Sequence, residues 1–155
     1  MSTLVKRRAF VAGTIAVALG AACKKSDDAG GDEMGPWMPP ADLAARLAEV
    51  KAGKIAVLYV GPDALFGRGH VPGARNIGPA ESAEGRAALA AAMAAVPAET
   101  EIVVYCGCCP VRSCPNVRPA SASLRALGRK NARVLDLPTR FGTDWTDKGF
   151  AVERS

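Results

Sequence analysis

Four of the five cysteines in this 155-residue chain fall within one short segment, Cys106-Gly107-Cys108-Cys109-Pro110-Val111-Arg112-Ser113-Cys114. A cysteine used for packing is a scattered small hydrophobe, and packing does not explain four in one loop. Three chemistries compete for them. In the first, Cys106 is a nucleophile. A thiolate at neutral pH needs stabilising, and loop N–H groups or the positive end of a following helix lower a thiol pKa by several units. Arg112 and Arg118 are the candidate contacts for an anionic substrate, whereas Pro110 and Pro115 each remove an N–H donor. In the second, Cys106 and Cys109 form a C-x-x-C redox pair. Four cysteines allow three pairings, and the one containing a Cys108–Cys109 bridge is strained. In the third, Cys106, Cys108, Cys109 and Cys114 together hold copper or zinc as thiolates. The tight spacing is unusual for tetrahedral zinc.

The elements around this loop must place it. Leu43, Leu47 and Val50 recur at helical spacing after Asp42, with Gly53 as the stop. Ile55 to Val60 is a continuous apolar run rich in β-branched residues and reads as a buried strand, ended by Gly61-Pro62. A helical turn follows over 63–67, then a short strand from Ala74 to Ile77. Ser82 opens an alanine-rich helix that Pro97 stops. Glu101–Tyr105 is a second buried strand, Pro119–Leu127 a helix ended by Gly128, and Arg133–Leu137 a third strand. The remainder reads as a loop and a terminal turn. Strands that are apolar throughout and alternate with helices predict an α/β fold with a central parallel sheet and helices on both faces. Ligands in such folds bind beyond the carboxyl ends of the strands, which is where Cys106 follows Tyr105.

His70, the sole histidine, precedes Val71-Pro72-Gly73, a turn sequence. It reads as a turn residue whose imidazole bonds the backbone rather than as a base for a cysteine. No glycine-rich phosphate loop, carboxylate pair or serine triad stands out.

Residues 1–22 read as an export signal. Lys6, Arg7 and Arg8 precede Phe10, and Ala9 to Ala22 carries no charge. The stretch is too short for a lasting membrane span of about 20 residues and fits a signal h-region. The paired arginines resemble a twin-arginine signal. Leu19-Gly20-Ala21-Ala22-Cys23 resembles a lipobox, making Cys23 the expected lipidation site and the domain a membrane-tethered protein on the periplasmic side. Residues 23–40 read as a flexible tether rich in Lys, Asp, Gly and Pro, and residues 41–155 as the folded domain. The formal charge of +5 owes three units to the signal, so the rest gives no electrostatic case for nucleic acid. With 16 glycines and 11 prolines the chain is not low-complexity.

Residues 41–155 resemble a rhodanese-like (sulfurtransferase) domain. Gly69-His70-Val71-Pro72-Gly73-Ala74-Arg75-Asn76-Ile77 is similar to that family's first signature, Ile102-Val103-Val104-Tyr105-Cys106 to the strand that delivers its catalytic cysteine, and Trp145 with Gly149-Phe150-Ala151-Val152 to its closing segment. The resemblance implies that Cys106 accepts a sulfane sulfur as a persulfide and passes it to a thiol or another small acceptor. It implies that backbone amides after Cys106, from Gly107, Cys108 and Cys109, hold that persulfide, and that no cofactor is needed. Cys108, Cys109 and Cys114 are then candidate resolving thiols. Two departures stand out. Tyr59-Val60-Gly61 occupies the place of the family's usual Asp-x-Arg, and the cysteine loop is expanded.

Overall fold

The computed structural model describes residues 34–155. The expected export signal, Cys23 and the first part of the expected tether lie outside the described residues. Five strands form one parallel sheet: β1 (Trp37–Met38), β2 (Ile55–Tyr59), β3 (Arg75–Asn76), β4 (Glu101–Tyr105) and β5 (Ala132–Leu135). Their spatial order is β1-β5-β4-β2-β3, so the two predicted apolar runs lie side by side at the centre, with Ile55 opposite Glu101 and Tyr59 opposite Tyr105. Alternate residues of these strands feed two cores. Leu58, Ile102 and Val104 pack on one face with Leu89 and Leu124, from helices α4 (Ala83–Ala94) and α5 (Val117–Ala126). Val57, Tyr59, Val103 and Tyr105 pack on the other with Leu43, Val50 and Trp145. Burial on both faces is why the strands are apolar without alternation. The predicted α/β fold with helices on both faces is therefore the observed one.

Several boundaries differ from the sequence reading, each for a local reason. The helix expected after Asp42 is two short ones, α1 (Pro40–Ala45) and α2 (Leu47–Lys51), broken at Arg46. Pro39 is the N-cap of α1 and Pro40 its first residue, where a missing N–H costs nothing. The Arg46 guanidinium turns to both Glu49 and Glu101 at 2.8 Å. Helix α3 (Asp63–Arg68) follows the turn after β2. Ser82 caps α4 as expected, its hydroxyl accepting from Gly85 N–H at 2.9 Å.

The expected tether enters the fold before residue 41. Trp37 and Met38 pair with Val134 and Leu135, and Met34 and Met38 are buried. Two apolar residues inside a Gly- and Pro-rich stretch give no periodicity, so this edge strand is invisible to pattern reading. The terminal segment also holds more structure than a loop and a turn, with α6 (Phe141–Asp144) and a 3₁₀ turn over Thr146–Lys148. Among the described residues no helix is long and apolar enough to cross a membrane.

Candidate active site

Strand β4 ends at Tyr105, and Cys106 emerges at the carboxyl end of the sheet. Gly107 follows with φ of 75°, a left-handed conformation that suits glycine. Its carbonyl accepts from Phe141 N–H at 3.0 Å, and a Cβ there would lie 2.7 Å from the Phe141 Cβ. The start of the cysteine loop is thus clamped against α6. A 3₁₀ turn over Val111–Ser113 carries the chain to Cys114, and α5 begins at Val117. The helix starts two residues before Pro119, which falls in its first turn, where no intrahelical N–H is needed.

The four sulfurs converge. All four cysteines are free, with Cys106 and Cys114 buried and Cys108 and Cys109 half-buried. The Cys106 and Cys108 Sγ atoms lie 2.9 Å apart, and those of Cys108 and Cys109 lie 3.2 Å apart. Cys106, Cys108 and Cys114 have their Sγ atoms within 4.8 Å of one another. Asn116 is buried beside them. Its amide nitrogen lies 3.8 Å from the Cys106 sulfur, and its carbonyl oxygen accepts from Glu81 N–H at 3.1 Å.

The charge in this cluster does not sit where the sequence places it. Cys106 is held well above the ordinary thiol range, first because it donates to Cys114, then by burial and by Cys108. Cys109 is pushed up to about 12 by burial and by Cys108. Cys114 is drawn down to about 5, first by the hydrogen bond from Cys106 and then by the backbone N–H groups of Val117 and Asn116. The sulfur cradled by the N-terminus of α5 is therefore Cys114, and Cys106 is its proton donor. Where the sequence suggests a loop-stabilised thiolate at Cys106, the structure shows a buried thiol hydrogen-bonded to Cys114.

Cys106 nonetheless faces a cleft. A depression of about 400 Å³ at the carboxyl end of the sheet is lined by Cys106, Gly107 and Cys108, with Tyr59, Phe141 and the arginines Arg68, Arg140 and Arg154 among its walls. The arginines arrive from three separate places: the end of α3, the loop after β5 and the C-terminal segment. The last is tied down by main-chain bonds between His70 and Glu153 at 2.9 and 3.0 Å. Arg112 and Arg118, the candidate anion contacts, do not line this cleft. Arg112 instead lies over the Trp37 ring at 4.6 Å, bracing the loop on β1. No local signal marks Arg68, Arg140 or Arg154 as a group, although the loop after β5 lies where ligands of parallel sheets bind.

Gly61 explains one departure in the sequence. A Cβ there would stand 2.6 Å from the Tyr59 hydroxyl and 2.7 Å from the Cys106 sulfur. The bare backbone leaves that sulfur its space. His70 plays the role read from its sequence: its Nδ1 lies 2.9 Å from the Phe66 carbonyl oxygen, and its ring stacks on Phe66 at 3.7 Å.

The family model for the rhodanese-like domain matches residues 40–137, well over half of the chain. The chain belongs to the rhodanese-like family. A comparison with curated proteins finds no match. Among solved structures, a Bacillus halodurans protein aligns with a TM-score of 0.58 at 22% identity, over 79% of this chain and 80% of its own. The rhodanese-related protein of Thermoplasma volcanium aligns with a TM-score of 0.53 at 16% identity, over 77% and 99%. The rhodanese-like domain of an Anabaena sp. protein gives 0.55 at 22%, over 77% and 80%. At these identities the likeness is one of fold. The family membership itself rests on the sequence match over residues 40–137, a span that includes the four-thiol loop.

Proposed function

We propose that this rhodanese-family domain is a sulfurtransferase in which Cys106 takes up a sulfane sulfur as a persulfide and hands it to a thiol. The observation that carries this reading is Cys106 at the end of a central strand, lining a cleft that Arg68, Arg140 and Arg154 also line. Three arginines lining the same cleft as Cys106 suit a doubly charged sulfur oxyanion such as thiosulfate. In the forward step the Cys106 proton passes to the Cys114 sulfur, its hydrogen-bond partner. The Cys106 sulfur attacks the outer sulfur of thiosulfate. That sulfur's bond to the sulfonate breaks, and sulfite leaves with the electron pair, its charge offset by the arginines. An acceptor thiolate then attacks the outer sulfur of the persulfide, takes it, and returns Cys106 as the leaving group. Cys108, 2.9 Å from Cys106, is the thiol best placed to resolve the persulfide when no external acceptor arrives. It attacks the inner sulfur, releases hydrosulfide and leaves a disulfide that an external dithiol must reduce.

The test is mass spectrometry of the reduced, metal-free full chain after incubation with thiosulfate. The peptide containing Cys106 is expected to gain one sulfur atom, reversibly with dithiol. Cys106→Ala should abolish the gain and Cys109→Ser should keep it. An unchanged mass in the folded wild type would sink the reading.

The charge-free stretch after Arg7-Arg8 and the small residues before Cys23 support placing the domain on the exported side of a bacterial membrane, held by a lipid on Cys23. The expected species begins at a diacylated Cys23. A mature protein with an unmodified residue 23 would refute the anchor.

A further inference from the structure

We infer that Cys106, Cys108 and Cys114 form a three-coordinate site for a soft monovalent metal ion, copper(I). The geometry carries this inference and does not depend on sulfur transfer. The three sulfurs lie within 4.8 Å of one another. A metal about 2.3 Å from each sulfur needs sulfur–sulfur separations near 3.8–4.0 Å. Small side-chain rotations of Cys106 and Cys108, opening their 2.9 Å contact, reach that spacing.

The donor set selects the ion. No carboxylate or imidazole joins the group among the described residues, and the one histidine is occupied at Phe66. An all-thiolate set favours copper(I) over harder divalent ions. Zinc in proteins almost always takes four ligands in structural sites. Cys109 touches Cys108 at 3.2 Å and also hydrogen-bonds Cys114, but only Cys106, Cys108 and Cys114 lie mutually within 4.8 Å, which favours a trigonal site over a tetrahedral one.

The surroundings hold the ligands in place. Cys106 ends a central strand, Cys114 precedes α5, and both are buried. The Asn116 amide lies 3.8 Å from the Cys106 sulfur, and the N–H groups of Asn116 and Val117 reach Cys114. Such outer partners orient ligating thiolates and stabilise their charge. Each ligand that still carries a proton releases it to solvent on binding, and the copper stays monovalent throughout. Cys106 faces the cleft, which gives the ion its way in. Loading the site would also shield Cys106 from any electrophile.

The test uses the full chain, reduced and kept anaerobic, titrated with copper(I) against a chromogenic chelator, with X-ray absorption on the loaded protein. One copper per chain with a first shell of three sulfurs is expected. Cys108→Ser and Cys114→Ser should each weaken binding by at least about tenfold, and loaded wild type should resist alkylation at Cys106. Cys109→Ser should bind as wild type does. Circular dichroism shows whether each variant folds, and the wild-type stoichiometry and ligand count stand regardless. A folded wild type that yields all its copper to the chelator overturns the proposal. So does a preferred zinc ion with four sulfurs that Cys109→Ser releases.

Discussion

Gly61→Ala is expected to slow sulfur uptake at Cys106 by about 100-fold, with a stability loss of about 1–3 kcal/mol. The added methyl would sit 2.7 Å from the Cys106 sulfur and 2.6 Å from the Tyr59 hydroxyl, roughly 1 Å inside an ordinary contact. Neither neighbour yields easily. The Tyr59 hydroxyl donates to the Pro62 carbonyl at 3.0 Å, and its ring packs at 5.3 Å from Tyr105 and 5.2 Å from Phe66. Cys106 has one short bond to rotate and Cys108 against it. The displacement therefore falls on the reacting atom itself, and a misplacement of about 1 Å is enough to cost two orders of magnitude. Gly142→Ala is the matched control. Gly142 lines the same cleft, and a Cβ there meets nothing within 4 Å. Uptake rates and denaturant melts of the two variants make the comparison, and a Gly61→Ala protein with wild-type uptake would refute the crowding argument.

Trp145→Ala is expected to cost about 3–5 kcal/mol, the largest loss of stability from a single truncation in this domain. Trp145 is fully buried at 0% exposure. Its Nε1 donates to the Ala151 carbonyl at 2.8 Å, and its ring lies 5.9 Å from Phe141 and 5.2 Å from Phe150. Truncation removes the ring, opens a cavity and orphans a carbonyl. Phe141 also stacks on Tyr105 at 5.7 Å and borders the cleft, so the loss should reach the site as well. Trp145→Phe keeps most of the ring volume and should recover more than half of the loss. Chemical denaturation measures both, and a Trp145→Ala protein within about 1 kcal/mol of wild type would contradict this packing account.

What was legible in the sequence follows from where information is local. Ile55–Tyr59 and Glu101–Tyr105 declare themselves because both faces of each strand are covered, so every residue reports burial. The Gly69–Ile77 turn was legible because most of its residues have a backbone task. Gly73 adopts φ of 79°, and the Val71 N–H donates to the Tyr105 hydroxyl at 3.0 Å. Cys106 was legible as a strand-end thiol on the cleft. The N–H cradle at Cys114 was not, because it depends on where α5 begins. A start at Val117 aims its N–H groups at Cys114. The arginine set was equally hidden. Arg68, Arg140 and Arg154 are far apart in sequence and meet only through the sheet's topology. Arg112 and Arg118 are near Cys106 along the chain, which is a poor guide to nearness across a sheet end.

The sheet's two outermost strands, Trp37–Met38 and Arg75–Asn76, are two residues each. An outer strand that short offers almost no row of unpaired main-chain groups for a neighbouring molecule to extend. The longer, strongly apolar strands that would template such growth are enclosed in the middle. A domain built this way resists edge-to-edge aggregation when many copies crowd together, without relying on charge repulsion.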